Sequence, residues 1–434
     1  MIARYSTEAM DRIWSDHART ETWLRVELAI CEAAERHGAI PRGTTDAIRA
    51  KAAFDLDRIA ELEKETRHDL MAFVRNVAEN VGAPARYFHY GVTSYDVIDT
   101  SLALMMRESL TQTLRSLLAL RKQVRSLVKE HRDTPMIGRT HGIHAEPITF
   151  GYKAASWLTE LRRAARRLSA CKREISVGKV SGPVGVRGVL GREVEAEACR
   201  ILGLRPDPIS TQIVARDRHA NVLNVIATLG ATLDRIAMEL RNLQRTEILE
   251  VQEEFAAGQT GSSAMPHKRN PWHSETVCGL ARVLRGNATA MMESVATWHE
   301  RDLTNSSVER IVLPDSFHLI DFMLNRMTKV LAGLEIRADR MRTNLELMGD
   351  LVYSEHLMVA LIGKGCSREE AYKIAQRNAA RAWEGEDYRA CVSEDPDVQS
   401  RLSPQEIEEV FSLEHHLRHV GPAVDDVLSD RRTC

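Results

Sequence analysis

The chain reads as an all-α protein built from three helical units, and three observations predict it. Aromatic residues make up only 5% of the 434 positions, while Leu, Ala, Arg, Glu and Met abound, side chains that lose little rotamer freedom in a helix. Long stretches without Gly or Pro carry apolar residues at helical spacing. Sharp helix-start signals mark the shorter segments.

The lead unit is expected over residues 1–93. In it RTETWLRVELAICEAAERHG reads as a helix ending on Gly38, and a second helix starts around TRHD and ends near Gly82. Thr66 is expected to cap that second helix, which puts Arg67 and His68 in its first turn, where free amides favour anions. The central unit, 94–341, opens on a run from Asp96 to about Lys129 with Leu102, Met106, Leu110, Leu114, Leu117, Val124 and Val128 near helical spacing. One helix there reaches roughly 50 Å. Similar patterns run from about Pro147 to Ile175, Gln212 to Val251, Ser274 to Trp298 and Pro314 to Met341, each apolar around more than one face, as in a large bundle. Helices this long rarely pack alone, so self-assembly is expected. In the third unit, 342–434, Ser367 with Glu370 and the SPQE box at Ser403 start short helices, Pro404 taking the first helical position.

Hydrophobic content of 44% permits a substantial core. With 59 basic and 61 acidic residues, no net field draws the molecule to nucleic acid or an anionic membrane, so any anion site must be local. Seven cysteines without CxxC spacing, and no signal-like start, predict a reducing, cytoplasmic setting. No apolar run approaches the roughly 20 residues that span a bilayer.

Chemistry concentrates in GQTGSSAMPHKRNP, residues 258–271, which holds two adjacent serines, an imidazole, a lysine, an arginine and two amides but no carboxylate. Two prolines and two glycines make it a loop, and Asn270 before Pro271 suits the cap of the next helix. Any one of its Ser or Asn residues could be a plain turn or cap residue. The run as a whole reads as an anion site. The elbow GxSxG and the Walker spacing are both absent, which leaves a serine alkoxide stabilised by amides and Lys268. A lysine about 4 Å from developing charge, at an effective dielectric near 20, contributes roughly 4 kcal/mol, a factor of about a thousand in rate. Such a site suits carbanion chemistry.

GRTHGIHAEP, residues 138–147, offers His141 and His144 in an expected loop. Too few soft ligands lie nearby for a metal, so no metal and no cofactor is expected; an imidazole beside Thr140 suits general acid work, and His144 reads as a hydrogen-bonded packing residue. The run SGPVGVRGVLG has GxxGxxG spacing after a helical segment, which makes it a tight turn rather than a dinucleotide loop. HERDLTNSSVERIVLPD, residues 299–315, puts Arg301, Ser306 and Arg310 in a polar interval between two long helices, residue types that bind phosphate.

Taken together, GSSAMPHKRNP resembles the signature loop of the fumarase, aspartase and argininosuccinate lyase superfamily. RTHGIHAEP, RHD at 67–69, GVTSYDVIDT at 91–100, TQI at 211–213 and ERDLTNSSVERIVLPD are similar to the adenylosuccinate lyase family. The resemblance covers essentially the whole chain. It implies a homotetramer with a twenty-helix core and active sites shared between subunits, acting on small nucleotide substrates by β-elimination of fumarate. It also implies Ser262 as general base, His141 as general acid, and Lys268 with Asn270 stabilising the carbanion. On the same resemblance Ser263 is expected to contact the succinyl carboxylates, and His68, flanked by Arg67 and Asp69, to support the acid and the anionic end of the substrate. Thr93, Ser94, Thr140 and Gln212 fall at succinyl and nucleotide contacts; Arg4, Tyr5, Arg301, Ser306 and Arg310 form the nucleotide and phosphate set. Glu275 reads either as a partner for His141 or as a carboxylate at a helix start. Tyr95 and Trp272 depart from the family pattern, where a small polar and an aliphatic residue are usual. The rival expectations are a 3-carboxymuconate cycloisomerase-like lyase and a non-catalytic helical structural protein.

Overall fold

The computed structural model describes residues 2–255, 258 and 261–429, so Gln259 and Thr260 of the serine loop lie outside the described residues. The chain is helical, as its composition predicts. In order it forms α1 (Glu8–Trp14), α2 (Asp16–Arg36), α3 (Thr44–Arg49), α4 (Leu56–Thr66), α5 (Asp69–Val81) and the 37-residue α6 (Ser94–Glu130). Next come α7 (Phe150–Ile175), α8 (Gly191–Leu202), α9 (Asp217–Leu243), α10 (Trp272–Glu293) and α11 (Thr304–Ala332). Shorter helices follow: α12 (Ala338–Glu346), α13 (Ser354–Gly363), α14 (Arg368–Trp383), α15 (Tyr388–Glu394), α16 (Pro396–Gln399), α17 (Pro404–Val410), α18 (Leu413–Leu417) and α19 (Val420–Ser429). Three two-stranded ladders punctuate them: antiparallel β1 (Pro135–Thr140) with β2 (Ile143–Thr149), parallel β3 (Val177–Gly178) with β4 (Arg205–Pro206), and antiparallel β5 (Val251–Gln252) with β6 (Glu335–Ile336).

Two compact units result, each drawn from three stretches: 1–118, 163–234 and 277–326 form the first, and 119–162, 235–276 and 327–434 the second. The first has a core that includes Trp23, Ile30, Phe73, Val97 and Leu104, with Val194 and Leu202 of α8. Inside it a polar frame holds three elements in register. Arg216, fully inaccessible, donates to Asp99 of α6 at 2.7 and 2.8 Å, to Glu309 of α11 at 2.6 and 3.1 Å, and to the Val214 carbonyl at 2.7 Å. Asp96, buried one turn before Asp99 on α6, pairs with Lys179 and accepts from the backbone amides of Ser181 and Gly182. The second unit buries Leu357, Ile374, Val392, Val398 and Phe411 among the C-terminal helices. Both expected capping boxes are present there, Ser367 with Glu370 and Ser403 with Glu406, and Pro404 opens α17 as expected.

Four local expectations need correction. Thr66 ends α4 instead of capping α5; Arg67 turns the chain in the left-handed region at φ 53°, and His68 is the residue that caps α5. Residues 138–147 are a hairpin, not a loop. The glycine-spaced run is no tight turn: it fills the path from β3 to α8, and a Cβ on Gly185 would stand 2.0 Å from the Ser210 carbonyl oxygen, so only glycine lets the two backbones touch there. Pro314 lies ten residues inside α11 rather than at a helix start, so Ser306 and Arg310 are helical and only Arg301 of the set is in the connecting loop.

Candidate active site

In the second unit the site is built from a hairpin and a loop. The turn between β1 and β2 is His141–Gly142, both at positive φ, 57° and 81°, the type I′ geometry that matches the twist of a two-residue hairpin. Thr140 and His141 are exposed at its tip. The strand just below that tip is anchored: Arg139 donates to Glu250 at 2.6 and 3.0 Å, and Glu250, fully buried, also accepts from Asn344 at 2.8 Å. On the other strand His416 Nε2 donates to the Pro147 carbonyl at 2.9 Å. His144 pairs across from Arg139, but its buried Nδ1 finds no partner among the described residues, contrary to the hydrogen-bonded role expected of it. Burial, reinforced by the Arg139 charge, pushes its pKa down and keeps it neutral.

The serine loop is shaped by its own backbone. Ser262 Oγ accepts from the amide of Met265 at 3.2 Å and, more weakly, from that of Ala264 at 3.4 Å. Negative charge on that oxygen therefore meets two aligned N–H dipoles. Gly261 is pressed against the far side of the loop, where a Cβ would lie 2.0 Å from the Lys268 carbonyl oxygen. Asn270 Nδ2 donates to the Gly261 carbonyl at 3.2 Å. That bond corrects a further expectation: Asn270 closes the loop and does not cap α10. The cap is Glu253, which the sequence reading missed; it accepts from the amides of Ser274 and His273 at 2.9 and 3.2 Å and from the Ser274 hydroxyl at 2.5 Å. Nothing local marks it, since it stands 21 residues before Ser274. Burial raises its pKa, although those donors pull the other way. Lys268 and Asn270 line a cleft of about 990 Å³ with Arg241, Arg245, His267 and Arg269, a strongly basic lining in which Glu275 is the one carboxylate among the described residues. Glu275 sits exposed in the first turn of α10 and makes no hydrogen bond or ion pair with His141, and Ser263 is exposed on the loop.

The first unit holds the remaining candidates. His68 Nδ1 accepts a long 3.5 Å bond from the Met71 amide and lies 3.5 Å from Asp69, so a neutral ring carries its proton on Nε2. Asp69 accepts from Arg310 at 2.5 Å; burial pushes its carboxyl up, but Arg310 and the Leu70 amide hold it below the usual range. Thr93 precedes α6 and Ser94 begins it, the Thr93 amide donating to Asp96 at 2.8 Å. Next in sequence, buried Tyr95 lies under Arg301, whose guanidinium carbon is 3.4 Å from the ring centroid. Arg301 Nη1 donates to Gln212 Oε1 at 2.9 Å, and Gln212 Nε2 donates to the Pro183 carbonyl at 3.1 Å, so the glycine-rich stretch supports Gln212. Asp69, Tyr95, Ser306 and Arg310 share a cavity of about 400 Å³ with Trp14 and Trp23. Arg4 and Tyr5 form a single 3₁₀ turn in which Tyr5 packs edge-on against Phe322, ring centroids 5.3 Å apart. Within this unit the structure thus joins Gln212 to Arg301 and Asp69 to Arg310.

A family profile described as Lyase matches residues 3–286, so the class of the protein is that of the helical lyases. A second, described as Adenylosuccinate lyase C-terminus, matches residues 350–427. Adenylosuccinate lyase of Synechocystis sp. is 47% identical over 97% of this chain and 98% of its own length. That of Aquifex aeolicus is 45% identical over 99% of each. Among solved structures, fumarate lyase from Mesorhizobium sp. superposes with a TM-score of 0.90 at 29% identity over 99% of both chains. The 3-carboxy-cis,cis-muconate lactonizing enzyme from Pseudomonas putida gives 0.88 at 30%, covering 99% of this chain and 98% of its own. The chain belongs to the adenylosuccinate lyase family, within the fumarase and aspartase superfamily, and is an enzyme of the carbon–nitrogen lyase class.

Proposed function

We propose that the protein removes fumarate from adenylosuccinate to leave AMP, and from succinylaminoimidazole carboxamide ribotide in the earlier purine step. The observation that carries the mechanism is the pair of amides on Ser262 Oγ. A preorganised donor of this kind contributes about 2.7–4 kcal/mol when it meets full charge, and two of them favour a serine acting as alkoxide. Ser262 takes the β proton of the succinyl group, and the electron pair moves onto the neighbouring carboxylate, where Lys268 and Asn270 stabilise it. The C–N bond then breaks as the pair forms the C=C bond of fumarate. His141, at the tip of a braced hairpin, supplies the proton that the departing nitrogen needs, since an amine anion is a prohibitive leaving group. His68 supports that acid. Arg301, Ser306 and Arg310, with Arg4 and Tyr5, take the phosphate, while Thr93, Ser94, Thr140, Gln212 and Ser263 contact the rest of the substrate.

Exposed apolar side chains on and beside α10 and α11, among them Val283, Met292, Trp298, Leu303 and Ile311, support assembly into a homotetramer whose subunits share active sites. Six described cysteines are free, which supports a reducing cytoplasmic setting, and no described helix is long and apolar enough to cross a membrane. The cycloisomerase reading is weaker: the muconate enzyme is 30% identical, against 47% for an adenylosuccinate lyase. The test is fumarate release from adenylosuccinate, followed by absorbance alongside 3-carboxymuconate. Turnover of the nucleotide is expected; turnover of the non-nucleotide acid alone refutes the reading.

A further inference from the structure

We infer that Tyr95 is a positioning residue that aims Arg301 at the substrate phosphate, an inference that rests on the lyase reading above. The ring is 5% exposed, and the Arg301 guanidinium carbon lies over it, 3.4 Å from its centroid. One nitrogen, Nη1, is held by Gln212. The other two, Nε and Nη2, are buried and have no acceptor among the described residues. An unfilled Nε and Nη2 edge presents two parallel N–H bonds, the fork that grips an oxyanion bidentately.

A neighbouring arginine provides the contrast. Arg216 stands 5.9 Å from the same ring, yet all of its nitrogens donate to Asp99, Glu309 and the Val214 carbonyl, so it is structural and has no edge left for a ligand. Among the described residues Arg301 has only the one side-chain bond, to Gln212, so the Tyr95 face is the second contact that restrains its guanidinium. A half-buried cation with no carboxylate bonded to it among the described residues is otherwise unfavourable, and the ring quadrupole offsets part of that cost. The ring also reaches the second phosphate candidate, since Ser306 stands beside the Tyr95 hydroxyl. The hydroxyl is secondary in this account: the π face does the positioning.

Kinetics of the full-length enzyme on adenylosuccinate and on its dephosphorylated nucleoside test this, with Tyr95→Ser, Tyr95→Leu and Tyr95→Phe. Tyr95→Leu fills the space without a π face and guards against a folding defect in Tyr95→Ser. Both are expected to raise KM for the nucleotide by about 3- to 30-fold with kcat within about twofold, and to leave KM for the nucleoside unchanged. Tyr95→Phe keeps the ring and restores the nucleotide KM. Calorimetric binding of AMP and adenosine gives an arm independent of turnover: the Leu variant loses affinity for AMP by the same factor and none for adenosine. Equal losses for phosphorylated and unphosphorylated ligands, or no loss in either variant, overturn the inference. An inactive wild type whose AMP binding still depends on the ring would instead count against the lyase reading alone.

Discussion

Replacing Arg216 by Met removes the cation that holds α6, the segment before α9, and α11 together. All its side-chain nitrogens are engaged, and the two carboxylates it serves stay buried after it is gone. Among the described residues Asp99 then keeps only the Val214 amide at 2.8 Å, and Glu309 only Asn305 at 2.8 Å. Breaking a buried pair by deleting one partner costs about 3–5 kcal/mol, and here one deletion strands two carboxylates, so the upper part of that range is expected at pH 8. The sign of the pH dependence follows from Asp99. In the wild type burial pushes its carboxyl up, but Arg216 holds it below the usual range, so its contribution is intact above the unfolded value near 3.9 and fades only as pH falls below that. Without Arg216 burial is opposed by little more than the Val214 amide and His219, so Asp99 titrates higher than in the wild type and protonation relieves the variant. The deficit should therefore shrink between pH 8 and pH 5. Urea unfolding followed by far-UV circular dichroism at the two pH values measures it. Adding Asp99→Asn and Glu309→Gln to Arg216→Met should recover much of the loss. A deficit under about 1 kcal/mol, or one unchanged with pH and not rescued by the neutral pair, refutes the reasoning.

Three other expectations are as direct. Ser262→Ala and His141→Asn should each lower kcat by at least about a thousandfold with the assembly intact by sedimentation; near-normal turnover in either removes its assigned role. Glu146, half-buried, has its pKa pushed up to about 7 by burial and by Glu355 beside it, so its favourable protonated state is lost as pH rises from about 4.5 through 7. Glu146→Gln should thus stabilise by about 1 kcal/mol at pH 8, after discounting for solvent screening, and by nothing at pH 4.5; equal melting shifts at both values would contradict this. Gly185→Ala puts a methyl group where the Ser210 carbonyl stands, at a backbone φ of +87°, and should destabilise by at least about 2 kcal/mol while raising KM through Gln212. Unchanged melting and KM would show that the loop shifts freely.

What could be read before folding is what neighbouring residues decide among themselves. A helix is a pattern of i to i+4 contacts, so α6 and both capping boxes were visible in order and spacing, and the prolines and glycines of 258–271 were enough to mark a loop. The strands around His141 were not, because β1 and β2 are short, contain Pro135 and Pro147, and gain their order from Glu250 and His416, more than a hundred residues further along the chain. Pro314 reads locally as a helix start, yet the long helix tolerates it, losing one backbone bond where many packing contacts remain. Glu253 as the cap of α10, and the aromatic face beneath Arg301, join residues about 20 and about 200 positions apart. Contacts of that kind leave no periodic trace, because they are chosen by which faces the packed helices bury and which charges must then find a partner.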